Sequence, residues 1–279
     1  MSISRPTDLD GALSALAERP DAHVLAGGTD LVVEVNLGHR RPDAIVAIRR
    51  VAELREHRLD DTHLELGATV TYGTVERELV DAAPGLAMAA RTVGSPQIRN
   101  AGTIGGNLGT ASPAGDTLPW LAALDAEVVL VSAAEGERVL PLAEYITGPK
   151  RTARRPDELI RAVRVPRVAG PQHVAKIGPR NAMVIAVASL AIVVDTDHRR
   201  VRVGLGSVGP VPVRPTAAED LASDALDWDA LTCDEDAMTR FAAACADAST
   251  PIDDHRSTAE YRRHAVGVLA ARSLRRCLT

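Results

Sequence analysis

The chain has 279 residues, 46% of them hydrophobic and 25% charged, as expected for a folded globular protein long enough for two domains. Aromatic residues make up only 2% and the formal net charge is -5 at pH 7, which argues against nucleic acid as a partner. No stretch approaches 18 uncharged apolar residues, so no membrane span is predicted.

The three cysteines form no C-x-x-C pair and are far apart in the sequence. We therefore expect free thiols in a reducing compartment, and neither an iron–sulfur cluster nor a zinc site on this chain. The N-terminus lacks an apolar signal core, which favours a cytoplasmic protein.

The first predicted elements lead into a glycine turn. Thr7–Arg19 has leucines at helical spacing with Thr7 as N-cap, and His23–Ala26 is a short apolar strand. The turn Gly27-Gly28-Thr29-Asp30-Leu31 follows this strand directly. Taken alone, it is better interpreted as a strand-to-helix turn than as a ligand site.

The next predicted elements alternate between strands and helices. Pro84 is expected to end the helix that begins after Thr71, and Gly94-Ser95-Pro96 closes the following one. The strands are Ala44–Ile48 and Leu64–Gly67, and the second helix is Leu86–Val93.

Asn100 to Asp116 contains five glycines, interleaved with threonines, a serine and asparagines. This glycine content argues against an ordinary helix or strand. The segment lacks both the G-x-G-x-x-G and the P-loop spacing, so a multi-turn loop and a backbone nest for a pyrophosphate remain equally good interpretations. Asp116 is expected to cap a helix over Thr117–Leu124.

The remaining pattern predicts an α+β fold with a domain boundary near residue 170, giving domains 1–170 and 171–279. Before the boundary, Glu127–Ser132 and Arg138–Leu140 are expected to pair, and Glu158–Pro166 is a strand. After it, the predicted elements are the hairpin Met183–Val194 with Val201–Val208 and helices over 216–221, Glu235–Ala248 and Thr258–Cys277.

The eight histidines form no metal-binding pair, and no Ser-His-Asp set follows from the spacing. Two glycine-rich turns lie about 75 residues apart in the first domain. Because the chain shows these turns but no acid–base or nucleophilic set of its own, a bound cofactor that supplies its own chemistry is favoured.

An ordered set of motifs closely resembles the FAD-binding medium subunit of the xanthine dehydrogenase / carbon monoxide dehydrogenase family of molybdenum hydroxylases. The resemblance runs over nearly the full length. Its motifs are Ala26-Gly27-Gly28-Thr29-Asp30-Leu31, Ser95-Pro96-Gln97-Ile98-Arg99-Asn100, Thr103-Ile104-Gly105-Gly106-Asn107, Ala111-Ser112-Pro113-Ala114-Gly115-Asp116, Pro156-Asp157-Glu158-Leu159-Ile160, Lys176-Ile177-Gly178-Pro179-Arg180, Gly204-Leu205-Gly206-Ser207-Val208-Gly209 and Asp254 through Arg263.

The resemblance implies a vanillyl-alcohol-oxidase-type (PCMH-type) FAD-binding domain of two α/β subdomains, followed by a C-terminal α+β domain. It implies that Ala26 through Leu31 and Thr103 through Asn107 hold the FAD pyrophosphate. The other residues that it puts near the cofactor are Val93, Thr110, Asp116, Ile160, Lys176 and Ile185.

Individual positions carry further implications. Lys176 would stabilise the anion of reduced flavin, and Ile185 would face the ring where an electron acceptor enters. The loop that begins at Arg180 lacks the acidic residues of NAD-using relatives, and neither glycine turn has a histidine that could bind flavin covalently.

The resemblance implies an electron-relay subunit that contacts a [2Fe–2S] small subunit and a molybdopterin large subunit, in a dimer of heterotrimers. Two alternatives remain open on the sequence. One is a stand-alone FAD-dependent oxidoreductase of the same fold, and the other is a flavin-free nucleotide-binding assembly module.

Overall fold

A computed structural model describes residues 1–278. The chain begins with a small α/β subdomain, whose parallel sheet has the strand order β1-β3-β2. Its core is formed by Ala12, Leu13 and Leu16 of the first helix against the strands. Its elements are β1 (Ser2–Ser4), α1 (Leu9–Glu18), β2 (His23–Leu25), α2 (Leu31–Asn36) and β3 (Ala44–Ala47).

The second subdomain is built on an antiparallel sheet of five strands in the order β4-β5-β10-β6-β7. Helices cover one face of this sheet, and their leucines, alanines and valines form the largest core of the molecule. The strands are β4 (His57–Leu59), β5 (His63–Gly67), β6 (Glu127–Ser132), β7 (Gly136–Pro141) and β10 (Leu159–Pro166), with a small hairpin of β8 (Ile146–Gly148) and β9 (Arg151–Thr152). The helices are α3 (Tyr72–Glu78), α4 (Pro84–Arg91), α5 (Pro96–Ala101), α6 (Ile104–Thr110), α7 (Leu118–Ala123) and α8 (Leu142–Tyr145).

The C-terminal part is an antiparallel three-stranded sheet packed against helices. Its central strand β12 is buried throughout, because the sheet is covered on both faces. Alternate residues of a strand point to opposite faces. Ala191 and Val193 accordingly join the core of the second subdomain, while Leu190 and Ile192 face the C-terminal helices. The elements are β11 (Gln172–Ile177), β12 (Ala188–Asp195), β13 (Arg200–Gly206), α9 (Thr216–Ala225), α10 (Glu235–Asp247) and α11 (Ala259–Cys277).

This architecture confirms the predicted class: two α/β subdomains and a C-terminal α+β part. The hairpin of Glu127–Ser132 with Arg138–Leu140 is confirmed, with Val129 opposite Val139. The C-terminal hairpin is also confirmed, but its first strand begins at Ala188 rather than Met183. Strand β11 was not predicted from the sequence.

The prediction that Asn100 to Asp116 excludes a helix is wrong. Helix α6 runs through Gly105, Gly106 and Gly109. Two tertiary features outweigh the low helix propensity of glycine. Thr103 Oγ1 accepts the N–H of Gly106 at 2.9 Å, and Ile104 and Leu108 are fully buried one helical turn apart. Glycine at 105 is required by packing, since a Cβ there would lie 2.6 Å from the carbonyl oxygen of Ala68.

Three predicted helix ends are also wrong. Asp8, not Thr7, caps α1, because its carboxylate accepts the N–H of Gly11. Pro84 begins α4 at a position where its missing N–H costs no hydrogen bond, and α3 has already ended at Glu78. Asp116 caps no helix, because its carboxylate bonds to Lys176 instead.

Gln172 joins the C-terminal sheet to the second subdomain. Its Oε1 accepts the indole N–H of Trp120 at 2.8 Å and the backbone N–H of Gly85 at 3.0 Å. A Cβ on Gly85 would lie 2.7 Å from the same oxygen, so the two parts are in close contact. One glutamine oxygen therefore satisfies two donors from different helices.

We predict that Gln172→Met lowers the free energy of unfolding by about 1–3 kcal/mol, because it leaves these two donors without an acceptor. Denaturant unfolding of the purified chain measures the loss. Gln97→Met is the matched control, since Gln97 is exposed on α5. Equal losses in the two variants would contradict the role of Gln172.

Candidate functional site

A cavity of about 1050 Å³ lies between the second subdomain and the C-terminal part, and the α2 end of the first subdomain closes one side. Pockets of this size accept large organic ligands. Seven of the residues singled out from the sequence line it: Thr29, Asp30, Val93, Asn107, Thr110, Asp116 and Ile185. The other ten are not among its lining residues: Ala26, Gly27, Gly28, Leu31, Thr103, Ile104, Gly105, Gly106, Ile160 and Lys176.

The first glycine turn offers unpaired backbone donors. Gly28 has a φ of 77°, a left-handed conformation that suits glycine, and the chain then turns into α2. Within residues 1–278, the N–H groups of Gly28, Thr29, Asp30 and Leu31 donate to no other protein group. Consecutive free N–H groups in a turn form a site suited to an anion.

The second glycine segment differs, because its N–H groups are already in use. Ile104 N donates to Val70 O, Gly105 N to Ala68 O, and Asn107 N to Thr103 O. Gly106 N is held by the Thr103 hydroxyl. This segment therefore offers a ligand its bare glycine surface and its side chains.

The two glycine segments are in direct contact. A Cβ on Gly27 would lie 1.9 Å from the carbonyl oxygen of Ala101, a distance that no side chain tolerates. At the cavity surface, the Thr110 hydroxyl donates to Asp30 Oδ2 at 3.0 Å. The turns are about 75 residues apart in sequence, and the fold brings them together.

Asp116 and Lys176 form a buried ion pair across the junction of the two parts. Lys176 Nζ lies 2.8 Å from Asp116 Oδ2, and also donates to the carbonyl oxygens of Thr92 (2.9 Å) and Val184 (3.1 Å). Its three N–H groups are thereby all used. The expected contact of Lys176 with a reduced cofactor would therefore require one of these bonds to break.

Asp116 Oδ1 is buried and accepts no hydrogen bond from the described residues. Burial raises the pKa of Asp116 above its ordinary value, and the attraction of Lys176 offsets this effect only in part. A buried carboxylate oxygen without a donor costs free energy. An N–H or O–H of a ligand in the cavity would satisfy it, which fits a cofactor with polar hydrogens.

Sequence reasoning missed several cavity residues. Tyr72 lies with its ring against Gly102, and burial together with Asp116 and Asp30 raises its pKa. Ser207 and Arg262 line the C-terminal wall. Arg262 lies within the motif from Asp254 through Arg263, but nothing in the sequence indicates that its guanidinium is buried.

Val93 lines the cavity, whereas Ile160 does not. Ile160 is buried in β10, where its Cδ1 would lie 3.8 Å from a Cβ on Gly109, so it supports α6 from behind. Val93 is half-buried in the cavity wall.

Among residues 1–278, no group of three or more His, Cys, Asp or Glu side chains is arranged to hold a metal ion.

Comparison with known proteins assigns the family. The family model "FAD binding domain in molybdopterin dehydrogenase" matches residues 1–168, and the model "CO dehydrogenase flavoprotein C-terminal domain" matches residues 173–277. The chain belongs to the FAD-binding subunits of the molybdenum hydroxylase family. Members of this family are oxidoreductase subunits, and the resemblance inferred from the motifs is confirmed.

Individual relatives agree with this family. The chain is 34% identical to the nicotinate dehydrogenase FAD-subunit of Eubacterium barkeri over 222 residues, which cover 76% of this chain and 74% of the relative. It is 29% identical to the glyceraldehyde dehydrogenase medium chain of Sulfolobus acidocaldarius over 98% of this chain and 97% of the relative. A structure of reconstituted CO dehydrogenase from Oligotropha carboxidovorans superposes with a TM-score of 0.90 at 26% identity, covering 100% of this chain and 97% of that chain.

The sequence predicts no membrane-spanning segment. No helix within residues 1–278 combines the length and the apolar character needed to cross a bilayer.

We predict that Lys176→Met lowers the free energy of unfolding by about 3–5 kcal/mol at pH 7, because it leaves the Asp116 carboxylate buried without its partner. The pKa of Asp116, already raised, then rises further. A carboxyl whose pKa is raised in the folded state destabilises the fold where it would be ionised, and this penalty falls as the carboxyl is protonated, so the loss is expected to be smaller at pH 4 than at pH 7. Denaturant unfolding of the FAD-free chain at both pH values measures it.

The double variant Lys176→Met/Asp116→Leu is the control. It has no carboxylate at this position, so the pH dependence introduced by Lys176→Met should be absent. An equal loss at pH 4 and pH 7 in the single variant would contradict the ion-pair account.

Proposed function

We propose that this chain is the electron-relay subunit of a multi-subunit molybdenum hydroxylase, passing electrons from a [2Fe–2S] partner through noncovalent FAD to a final acceptor. The observation that carries the proposal is a cavity lined both by Asp116, whose Oδ1 is unpartnered, and by Thr29 and Asp30 of the turn that has free backbone N–H groups. The turn suits a phosphate and Asp116 suits a hydrogen-bond donor, and FAD carries both.

In this proposal the pyrophosphate accepts hydrogen bonds from the N–H groups of Gly28 through Leu31. Thr110 and Asp30, already bonded to each other, flank it. Asp116 Oδ1 accepts an N–H or O–H from the ribityl or ring end, while Lys176 holds the carboxylate in place. FAD supplies the electron-carrying chemistry, and the protein supplies the binding and orientation.

Gly106 gives the second glycine segment its proposed role. Apart from its own helix backbone, a Cβ there would meet only the Thr103 side chain, whose hydroxyl oxygen would lie at 2.8 Å. Gly105, in contrast, is enclosed by Ala68. We therefore infer that Gly105 is kept by packing, whereas Gly106 leaves room for the cofactor to approach α6.

The domain division at 1–170 and 171–279 is part of the same proposal, with the cavity at the junction. The relatives are described as FAD-subunits and medium chains, names that indicate further subunits. We propose partners of the kind inferred from the motifs: an iron–sulfur small subunit and a molybdopterin large subunit, in a cytoplasmic dimer of heterotrimers.

We predict that Gly106→Val weakens FAD binding by at least about tenfold, because the three carbon atoms of the added isopropyl group fill the space next to α6. Fluorescence titration of the flavin-free chain with FAD measures the affinity. Gly11→Val is the matched control. Gly11 also follows an N-cap by three residues, and its Cβ would lie 3.0 Å from the capping oxygen of Asp8. Equal FAD affinity in the two variants would contradict the assignment.

We predict that the tagged chain, purified from its native host, brings with it one FAD per copy and partner chains that contain iron and molybdenum. Flavin absorbance, metal analysis and mass spectrometry of the complex measure this composition. A chain that oxidises a substrate alone, with FAD but without iron or molybdenum, would instead establish the stand-alone oxidoreductase. A chain that takes up no FAD would establish the flavin-free module.

A further inference from the structure

Lys150 lines the cavity in a backbone conformation that is unfavourable for a lysine. Its φ is 55°, in the left-handed region that glycine adopts readily and that costs other residues free energy. Its backbone N–H donates to the carbonyl oxygen of Ala111 at 2.9 Å, directly after α6, so the surrounding fold holds the residue in this conformation. A strained residue that is held in place at a cavity points to a function for its side chain.

The ammonium group of Lys150 reaches the helix that follows the first glycine turn. Its Nζ lies 2.9 Å from Glu34 Oε1. Glu34 belongs to the first turn of α2, and its N–H donates to the carbonyl oxygen of Asp30. The ion pair therefore connects the tip of the β8–β9 hairpin to the helix that begins at the free N–H groups of residues 28–31.

Glu34 does not depend on Lys150 alone to balance its charge. Arg40 Nε lies 2.5 Å from Glu34 Oε2, so each carboxylate oxygen has its own cation. The pKa of Glu34 is lowered, above all by the hydrogen bond from Lys150 and also by the charge of Arg40. A carboxylate that is paired with two cations can release one of them and remain paired. The Lys150 side chain is 60% exposed, so no packing prevents it from changing partner.

The charges of the cavity wall leave a deficit of positive charge at the first glycine turn. Of the described residues that line the cavity, the cations are Lys150, Arg256 and Arg262, and both arginines donate to Asp254. Asp30 lines the cavity at the turn, and its carboxylate would repel the negative charges of a pyrophosphate. Lys150 is the lining cation that can offset this repulsion, because its present partner keeps a second cation.

We propose that Lys150 binds the FAD pyrophosphate, exchanging its bond to Glu34 for one to a phosphate oxygen while Arg40 keeps Glu34 paired. The inference rests on the FAD site proposed above and adds an ionic contact to the uncharged N–H groups of the turn. A hydrogen bond between an ammonium group and a phosphate is charge-assisted and stronger than one between neutral groups. It offsets the repulsion from Asp30, and the strained conformation of Lys150 keeps the ammonium group at the cavity.

The test measures FAD affinity at low and high salt, by fluorescence titration of the flavin-free full chain. Lys150→Gly removes the cation and relieves the strain at this φ, so it should not lower the free energy of unfolding. We expect this variant to bind FAD about tenfold more weakly at low salt, as for the loss of one hydrogen bond to a charged group. At about 1 M sodium chloride the Debye length is only about 3 Å, so the difference should shrink. Lys150→Arg keeps the charge and should retain most of the affinity.

Arg199→Gly is the matched control. Arg199 is also a cation with a left-handed backbone, at a φ of 50°, in the turn between β12 and β13. It is paired with Asp229 at 2.9 Å on the surface and is not among the residues that line the cavity. Each glycine variant loses one exposed ion pair, which contributes little to stability. Arg199→Gly should therefore unfold like Lys150→Gly but bind FAD like the unaltered chain at both salt concentrations.

Three results would overturn the inference. If Lys150→Gly and Arg199→Gly bind FAD equally well at low salt, Lys150 does not contact the cofactor. If Lys150→Gly loses the same factor at both salt concentrations, the contribution of Lys150 is not ionic. If Lys150→Arg loses as much affinity as Lys150→Gly, the positive charge is not its cause. A chain that binds no FAD at either salt concentration would show instead that the proposed FAD site is wrong, and the role of Lys150 would fall with it.

Discussion

The ammonium group of Lys176 connects three segments that would otherwise be independent walls of the cavity. It donates to Asp116 in the second subdomain, to the end of α4 through Thr92 O, and to the 180–187 loop through Val184 O. A buried ammonium is costly unless all its hydrogens are bonded and its charge is opposed. This requirement fixes the position of strand β11, which carries Lys176, relative to the helices of the FAD-binding part.

The geometry at Lys176 determines what remains for a cofactor. Because Lys176 occupies Oδ2 of Asp116, the carboxylate is oriented and Oδ1 is left with an unused acceptor site. The contact of Gly27 with Ala101 brings the first glycine turn against the helix preceding α6. The N–H groups that follow Gly27 are thus directed by packing rather than by hydrogen bonds of their own. The cavity combines a rigid frame with a few polar atoms that lack partners, which is the usual arrangement of a site that binds a large cofactor.

The sequence predicted the sheet strands well where β-branched residues alternate or cluster, as in Glu127–Ser132 and in the central strand β12. It failed at α6, because the helix is stabilised by a threonine cap and by burial of Ile104 and Leu108, and local propensity records neither. It also extended the β12 strand back to Met183. An apolar residue at a cavity rim has the same sequence signature as one in a core strand, so pattern alone does not distinguish them.

The candidate site was predicted less completely than the fold. The glycine turns and Asp116 were found from motifs, whereas the saturation of Lys176 depends on carbonyl oxygens whose positions only the tertiary structure defines. Tyr72, Ser207 and Arg262 could not have been assigned, because burial and unpartnered atoms are properties of the folded chain.

The central claim, that FAD occupies this cavity, is tested most directly by a crystal structure of the full chain with FAD bound. We expect the pyrophosphate to lie within hydrogen-bond distance of the N–H groups of Gly28 through Leu31, and an FAD donor to bond to Asp116 Oδ1. The Lys176–Asp116 pair should be intact in that structure. FAD bound elsewhere, or in this cavity with Asp116 Oδ1 still unpartnered, would contradict it.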